Sequence, residues 1–211
     1  MKILSVETLS LPDIRVIRFA RFADHRGYFT ESFRRGDIDT HPETAFLREV
    51  ALPQVNESWS RTGTVRGLHF QWNPFMGKLV RTSHGRMIDM FLDIRLGSPT
   101  FGKIAMHDMP APPDADWGEW IWVPPGFAHG NFFTEPSRIE YFCSSEYSPG
   151  CEAGVSPLAH DLDWSLCDPQ LKLEFDQVLS DHPLMTDKDR NGFTLAAWQQ
   201  DERSRYFVYG S

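Results

Sequence analysis

A single histidine, His69, lies between apolar neighbours in the stretch Val65–Gln71, whose sequence is VRGLHFQ. Histidine titrates near neutral pH, so it can accept and release a proton without a large shift of its pKa. Two cations, Arg66 and Lys78, lie close to it along the chain. Such long cations are hard to bury beside a purely structural histidine unless an anion or a carbonyl oxygen joins them. The grouping therefore favours a functional pocket in which His69 carries protons over a packed core histidine.

A second histidine, His129, lies in the sequence GFAHG at Gly126–Gly130. Two histidines and a carboxylate could hold a metal ion if the fold brought them together. The usual signature of metal-binding cupins, HxH followed by a glutamate, is absent from the chain, so we expect neither a metal ion nor another cofactor. The three cysteines, Cys143, Cys151 and Cys167, lack the CxxC spacing of a zinc or redox site and are assigned no chemistry.

Short segments of alternating apolar and polar residues, separated by fifteen Gly and fifteen Pro, predict an all-β sandwich or barrel. The clearest segment is KLVRTSHGRMIDMFLDIR, in which Ser83–Gly85 can turn the chain between two strands. The second strand would have an apolar face and a mixed face, formed by Ile88, Met90, Leu92 and Ile94 and by Met87, Asp89, Phe91 and Asp93. Further strands are predicted at Lys103–Met109, Glu119–Pro124, Gly130–Glu135 and Arg138–Ser145.

The remaining segments have a different character. Pro110–Glu119 is a surface loop by composition, and Asp187–Tyr206 has a short helical pattern at its end. Strand-like patterns become rarer after about Ser156, and no repeat or linker divides the chain. We therefore expect a single domain over residues 1–211, with a core over about 10–155 and a C-terminal segment over about 156–211.

Composition limits the possible partners. A chain of 211 residues with 41% apolar residues can bury one sizeable core. The net charge of −8 argues against a general surface for nucleic acid or anionic membranes, so any phosphate site must be built locally. We find neither a signal-peptide pattern nor a run of about 18 apolar residues, and we expect a soluble, cytoplasmic protein that binds neither membrane nor nucleic acid.

Seven blocks of sequence follow one another along the chain: DHRGYFTESF (Asp24–Phe33), QVNESWSRTGTVRGLHFQ (Gln54–Gln71), GKLVR (Gly77–Arg81), DIRLGSPTFGK (Asp93–Lys103), WVPPGFAHG (Trp122–Gly130), EYFCSSEYSPGCE (Glu140–Glu152) and TDKD (Thr186–Asp189). In this order they resemble the dTDP-4-dehydrorhamnose 3,5-epimerases and related nucleotide-sugar epimerases. The resemblance implies an all-β, jelly-roll (cupin-like) β-sandwich with short peripheral helices, assembled as a homodimer.

The reaction that the resemblance implies is epimerisation of a nucleoside-diphosphate 4-keto-6-deoxy sugar at carbon 3, carbon 5 or both. A proton leaves a carbon next to the ketone and returns to the opposite face. His69 matches the family's base, and Asp189 matches the carboxylate that orients the base. Lys78 matches the residue that faces the keto oxygen, where an ammonium stabilises the enolate. Tyr141 matches the acid that returns the proton.

The same resemblance implies a set of substrate-binding residues: Arg26, Glu31, Gln54, Asn56, Arg66, His129, Tyr147, Glu152 and Lys188. Arg26 and Arg66 suit phosphate, because a guanidinium is permanently charged and offers forked donors. The N-terminal block, which carries Arg26 and Glu31, is expected to reach across the dimer into the pocket of the partner subunit.

The chain departs from the family pattern in places that bear on specificity. Many members have two tyrosines where this chain has Glu146–Tyr147. Glu146 thus replaces an aromatic ring that could stack on the nucleobase, and the sequence does not identify the nucleotide. The loop at 110–120 and the extra segment Ser156–Leu166 also depart from the family pattern, so the sequence does not identify the sugar. The alternative functions are a nucleotide-sugar 3,4-ketoisomerase, a non-catalytic sugar-binding cupin and a metal-dependent cupin oxygenase.

Overall fold

The computed structural model describes residues 1–210. In chain order its strands are β1 (Ile3–Thr8), β2 (Arg15–Ala20), β3 (Phe22–Asp24), β4 (Gly27–Phe29), β5 (Gln54–Ser60), β6 (Val65–Gln71), β7 (Lys78–His84), β8 (Arg86–Asp93), β9 (Ile104–Pro110), β10 (Trp117–Val123), β11 (Phe127–Phe133), β12 (Ser137–Cys143) and β13 (Glu152–Gly154). The helices are α1 (Arg35–Thr40), α2 (Pro169–Ser180), α3 (Asp187–Arg190) and α4 (Leu195–Gln200), with 3-10 segments at Pro42–Leu47 and Glu202–Tyr206.

Two antiparallel sheets pack face to face. The six-stranded sheet has the order β1-β2-β10-β7-β12-β5, and the five-stranded sheet has the order β13-β6-β11-β8-β9. Strands β3 and β4 pair only with each other and form a separate hairpin. The architecture is a jelly-roll β-sandwich with short peripheral helices, as the sequence predicted.

Three apolar clusters fill the spaces around the sheets. The cluster between them contains Val80 and Ile121 from the six-stranded sheet and Phe91 from the five-stranded sheet. The outer face of the five-stranded sheet packs against the C-terminal helices, and the outer face of the six-stranded sheet packs against the N-terminal helical segment that includes Ile38 and Leu47. Both sheets are therefore covered on two faces, which agrees with the nearly continuous burial of the central strands β8, β10 and β11.

The turn predicted at Ser83–Gly85 is confined to Gly85, because β7 continues to His84 and β8 begins at Arg86. The strands on either side of Gly85 belong to different sheets. Gly85 has φ +79°, and a Cβ there would lie 2.4 Å from Ser137 Oγ, so a glycine is needed for the chain to cross at this point. The predicted division of β8 into two faces is also correct. Ile88 and Met90 join the outer cluster, whereas Met87 joins the cluster between the sheets.

Two predicted boundaries are wrong. The loop predicted over Pro110–Glu119 is shorter, because Trp117–Glu119 already pairs with β2 as the start of β10. The strand predicted from Gly130 begins at Phe127, because Phe127–His129 pairs with β8. The sequence interpretation also missed α2, although Asp168 caps its first turn by accepting a hydrogen bond from the Gln170 backbone N–H.

The block DIRLGSPTFGK has a structural role. The Asp93 carboxylate is fully buried and accepts hydrogen bonds from the side chains of Arg95, Ser98 and Thr100, at 2.6–2.9 Å. Burial alone would raise the pKa of Asp93, but these hydrogen bonds lower it below its usual value. The block therefore organises the connection between β8 and β9.

The C-terminal segment packs directly on the sandwich. Trp198 of α4 is fully buried, and its ring lies 4.6 Å from the ring of Phe70 on β6 and 6.3 Å from that of Phe207. We propose that residues 1–211 fold as a single domain, with this segment as part of its cooperative core. Within residues 1–210, no helix has the length and apolar character needed to cross a membrane.

A Trp198→Ala substitution tests that cooperativity. We expect a loss of about 3–5 kcal/mol in the free energy of unfolding, because a large buried ring is replaced by a cavity. Denaturant titration should show one transition with a lower midpoint. The control, Leu173→Ala on the exposed face of α2, should change stability by less than about 0.5 kcal/mol. A second, independent transition for the C-terminal segment would contradict the single-domain proposal.

Candidate active site

Two adjoining cavities open between the sheets, with volumes of about 350 and 330 Å³. They share His69, Lys78 and Tyr141 and are therefore two halves of one cleft. We call the first the loop half, because Tyr147 lines it from the 144–148 loop, and the second the helix half, because Asp189 lines it from α3. Volumes of this size are typical of small-molecule sites.

The fold brings together residues from distant parts of the chain. All four predicted catalytic residues and seven predicted substrate-binding residues line the cleft: His69, Lys78, Tyr141, Asp189, Gln54, Asn56, Arg66, His129, Tyr147, Glu152 and Lys188. The other two predicted residues, Arg26 and Glu31, do not line it.

His69 and Asp189 form a close pair. His69 Nε2 lies 2.6 Å from Asp189 Oδ1, with 5% of the aspartate side chain and 33% of the histidine side chain exposed. Burial alone would raise the pKa of Asp189, but the hydrogen bond and charge of His69, with further hydrogen bonds from Thr186 and the Gly67 backbone, lower it. The carboxylate thus stays ionised and fixes the imidazole, which leaves Nδ1 as the ring nitrogen available to a substrate.

Two glycines let the strands approach closely beside this pair. Gly67 on β6 has φ +101°, and a Cβ there would lie 2.6 Å from the Cα of Gly130 on β11. A Cβ on Gly130 would lie 2.5 Å from the Arg66 carbonyl oxygen. Only glycine fits at both positions, and the irregular register between β6 and β11 there leaves His69 paired with His129.

Lys78 and Tyr141 approach the cleft from the opposite sheet. They lie on β7 and β12, where Tyr141 pairs with Val80 and Cys143 pairs with Lys78, so both side chains point to the same face. Burial raises the pKa of Tyr141 more than a hydrogen bond with Asn56 lowers it. The phenol is therefore protonated at neutral pH. Burial lowers the pKa of Lys78, an effect that the charges of Cys143, Asp89 and Glu152 oppose.

His129 has a carboxylate partner of its own. Its Nε2 lies 2.7 Å from Asp89 Oδ1, and both side chains are almost fully buried. Burial lowers the pKa of His129, and the charges of Lys78 and His69 lower it further against the opposing effect of Asp89. His129 is therefore neutral at neutral pH and suited to hydrogen bonding rather than to charge pairing.

A chain of polar contacts closes one side of the cleft. Lys188 Nζ lies 2.6 Å from Glu152 Oε1, and the Tyr147 hydroxyl donates to the same oxygen at 3.0 Å. Burial alone would raise the pKa of Glu152, but these two hydrogen bonds lower it. The contacts tie α3, which carries Asp189, to the loop that carries Tyr147.

Arg26 and Glu31 lie away from the cleft. Arg26, in the turn of the β3–β4 hairpin, is largely exposed and lies 2.7 Å from Asp24, whereas Glu31 contacts Arg34 and the N-terminal amino group. The hairpin carries exposed apolar rings, Phe22, Tyr28 and Phe29.

The sequence interpretation missed several residues that line the cleft: Ser58, Gln71, Met76, Asn131, Cys143 and Thr186. It also missed Asp89, the partner of His129. Asp89 did carry a signal, because it lies on the mixed face predicted for β8. Gln71 ends the stretch VRGLHFQ, but its contacts with Ser145, Glu146 and Ser148 are not visible from the sequence.

The possible metal site is not assembled. His69 and His129 are cross-strand neighbours, yet each is bonded to its own carboxylate. Among residues 1–210, no three His, Cys, Asp or Glu side chains converge in a way that could hold a metal ion.

The model of the family described as dTDP-4-dehydrorhamnose 3,5-epimerase matches residues 8–197. The chain belongs to this family. It is 42% identical over 153 residues to a dTDP-4-dehydrorhamnose 3,5-epimerase of Sinorhizobium fredii, covering 71% of this chain and 73% of the relative. It is 35% identical over 191 residues to the enzyme of the same name from Shigella flexneri, covering 90% of this chain and 94% of the relative.

A solved structure extends the similarity to the fold. The dTDP-6-deoxy-D-glucose-3,5-epimerase of Legionella pneumophila, determined in complex with dTDP-4-keto-L-rhamnose, matches with a TM-score of 0.77 and 27% identity over 97% of both chains. Membership of this epimerase family makes the protein an isomerase by class.

Proposed function

We propose that the protein epimerises a dTDP-4-keto-6-deoxy sugar at carbon 3, carbon 5 or both. One observation carries the proposal: His69, oriented by Asp189, lies on one sheet, whereas Tyr141 and Lys78 lie on the other, and the same cleft separates them. A base and an acid on opposite walls suit a reaction that removes a proton from one face of a ring and returns one to the other.

In the proposed mechanism, the neutral imidazole of His69 takes the proton from a carbon next to the keto group. The C–H electron pair moves into the ring, and the keto oxygen becomes an enolate oxygen. The ammonium of Lys78 stabilises that negative charge, and Asp189 stabilises the imidazolium. The enolate then collapses, and its carbon takes the phenolic proton of Tyr141 on the opposite face. Solvent afterwards restores the protonation states of both side chains.

The rest of the substrate supplies binding energy away from the reacting carbon. Arg66 and Lys188 are the cations of the helix half suited to the diphosphate, and Tyr147 offers a half-exposed ring in the loop half. The names of the relatives favour a thymidine nucleotide, although Glu146 replaces the other aromatic residue expected at this loop.

We further propose that the protein is a homodimer in which Arg26 and Glu31 reach the cleft of the partner subunit. The exposed rings of the β3–β4 hairpin, Phe22, Tyr28 and Phe29, support this, because a second copy would cover them. A cytoplasmic location fits the three free thiols, which persist best in a reducing compartment.

Proton NMR in deuterium oxide tests the activity directly. The protein is mixed with a panel of nucleoside-diphosphate 4-keto-6-deoxy sugars, and the ring protons at carbons 3 and 5 are followed. We expect exchange at one or both carbons together with an inverted product from the dTDP sugar. Movement of the keto group to carbon 3 would indicate a 3,4-ketoisomerase, and binding without exchange would indicate a non-catalytic protein.

An Arg66→Ala substitution should mainly weaken substrate binding. We expect the KM to rise roughly 10- to 100-fold, the effect of losing one charged hydrogen bond, while kcat changes only a few-fold. The phosphate contact should be similar in the ground and transition states, so steady-state kinetics should separate the two parameters. Arg61→Ala, at an exposed turn outside the cleft, is the matched control. A large fall in kcat with an unchanged KM would contradict this role.

Activity should persist after exhaustive treatment with a chelator, because Lys78 can stabilise the enolate charge and Tyr141 can return the proton. The measurement compares initial rates before and after chelation, with elemental analysis of the same sample. A loss of activity that an added divalent cation restores would instead favour a metal-dependent cupin.

A further inference from the structure

The loop at residues 144–148, with the sequence SSEYS, is fixed from both sheets by two glutamines. Gln71 on β6 of the five-stranded sheet accepts a hydrogen bond at Oε1 from the Ser148 backbone N–H, at 2.9 Å. Gln54 on β5 of the six-stranded sheet accepts one at Oε1 from the Tyr147 backbone N–H, also at 2.9 Å. The loop thus spans the two sheets at the mouth of the loop half.

Gln71 has both ends of its amide engaged. Its Nε2 donates to the backbone carbonyls of Pro74 and Glu146, at 2.9 and 3.1 Å, with Ser145 Oγ at 3.4 Å. The residue is only 4% exposed. A buried amide with both ends bonded to backbone holds that backbone in place, and it has no free N–H left to offer a ligand.

The position of Gln71 along its strand links the loop to the reacting groups. Gln71 lies two residues after His69 on β6, so both side chains point to the same face of the sheet. The same rigid strand therefore presents the base and holds the loop that carries Tyr147. The distance from the base to this wall of the cleft is set by one short segment of backbone.

We propose that Gln71 is a positioning residue that fixes the 144–148 loop as the nucleotide-facing wall of the cleft. The proposal rests on the function proposed above and adds that nucleotide affinity depends on a side chain that acts through the loop. Tyr147 contacts the nucleotide, and Gln71 determines where Tyr147 stands relative to His69.

A Gln71→Met substitution tests the proposal, because it keeps the length and packing of the side chain but removes the amide. The Ser148 amide should exchange with solvent about tenfold faster or more in the ligand-free protein. The KM of the sugar nucleotide and the Kd of dTDP alone should both rise by about tenfold, the equivalent of one lost hydrogen bond, while kcat stays within about threefold.

Two further variants sharpen the result. Gln71→Glu keeps an acceptor for the Ser148 N–H but loses both donors, so KM should rise while the Ser148 amide stays more protected than in Gln71→Met. It also serves as the test if Gln71→Met does not fold. Gln177→Leu, on the exposed part of α2, removes a glutamine outside the cleft and should change none of these quantities.

Unchanged Ser148 exchange, or an unchanged Kd of dTDP with a reduced kcat, would overturn the proposal, since Gln71 would then act on the sugar or on nothing. The exchange measurement needs no substrate. If the wild-type protein neither binds dTDP nor epimerises its sugars, the proposed function fails, and the exchange data still decide separately whether Gln71 holds the loop.

Discussion

Replacing His69 by alanine should abolish the wash-in of solvent deuterium at every epimerisable carbon of the substrate. Loss of a general base costs about 10²–10⁴-fold, and here the same group must start each inversion. Lys78 should not replace it, because in the proposed mechanism its ammonium stays charged opposite the keto oxygen. His129 should not replace it either, since 7% of its side chain is exposed, against 33% of the side chain of His69. Both exchange and product formation should fall together.

The measurement is proton NMR in deuterium oxide with the sugar nucleotide that proves most active. Binding of dTDP should remain close to that of the wild-type protein, because the change removes only an imidazole near the sugar. His160→Ala, at an exposed position outside the cleft, is the matched control and should retain full exchange. If His69→Ala exchanged at the wild-type rate, His69 would lose its assignment as the base.

Local patterns in the sequence predicted correctly how side chains divide between the two faces of a strand. The alternation in β8 correctly separated Ile88 and Met90 from Met87 and Phe91, because a strand places successive side chains on opposite faces. The same local evidence could not assign β7 and β8 to different sheets. That outcome depends on which distant strands pair with each of them, and no turn sequence contains this information.

The site shows the same division between local and long-range information. His69, Lys78 and Tyr141 could be selected because they lie in motifs that resemble a known family. Asp189 lies on a separate short helix, so spacing alone gave no reason to pair it with His69. Asp89 was visible as an acidic residue in a buried strand, but its partner on β11 became apparent only from the register of the sheet.

Arg26 and Glu31 are the two predicted substrate-binding residues that do not line the cleft of their own chain. The sequence resemblance implies that they bind substrate, yet Arg26 lies outside the residues that line the cleft, and its guanidinium bonds to Asp24. Their assignment stays a prediction that depends on a second subunit. Measuring both the mass in solution and the activity, with and without an Arg26→Ala change, would connect the assembly to the activity.

A Tyr141→Phe variant should separate the role of the acid, Tyr141, from the role of the base, His69. The substitution keeps the aromatic ring and its packing in the sandwich but deletes the phenolic proton. His69 and Lys78 are untouched, so the enolate should still form. His69 should then return solvent-derived deuterons to the face from which it took the proton, and deuterium should accumulate in unchanged substrate.

Formation of the inverted product should fall by about 10²–10⁴-fold, the usual effect of losing a general acid. The rate of deuterium exchange would therefore exceed the rate of epimerisation. Both rates can be read from the same NMR time course. Phe142→Tyr, on the opposite face of β12 and packed in the outer cluster, makes a change of similar size and controls for disturbance of the strand.

The ratio of the two rates decides the role of Tyr141. If exchange and inversion fell together, the phenol would be needed to form the enolate or to position the sugar. If both stayed normal, the proton would come from another donor. A large ratio of exchange to inversion is the expected result because the two groups stand on facing sheets, so a sugar ring bound between them would present opposite faces to His69 and Tyr141.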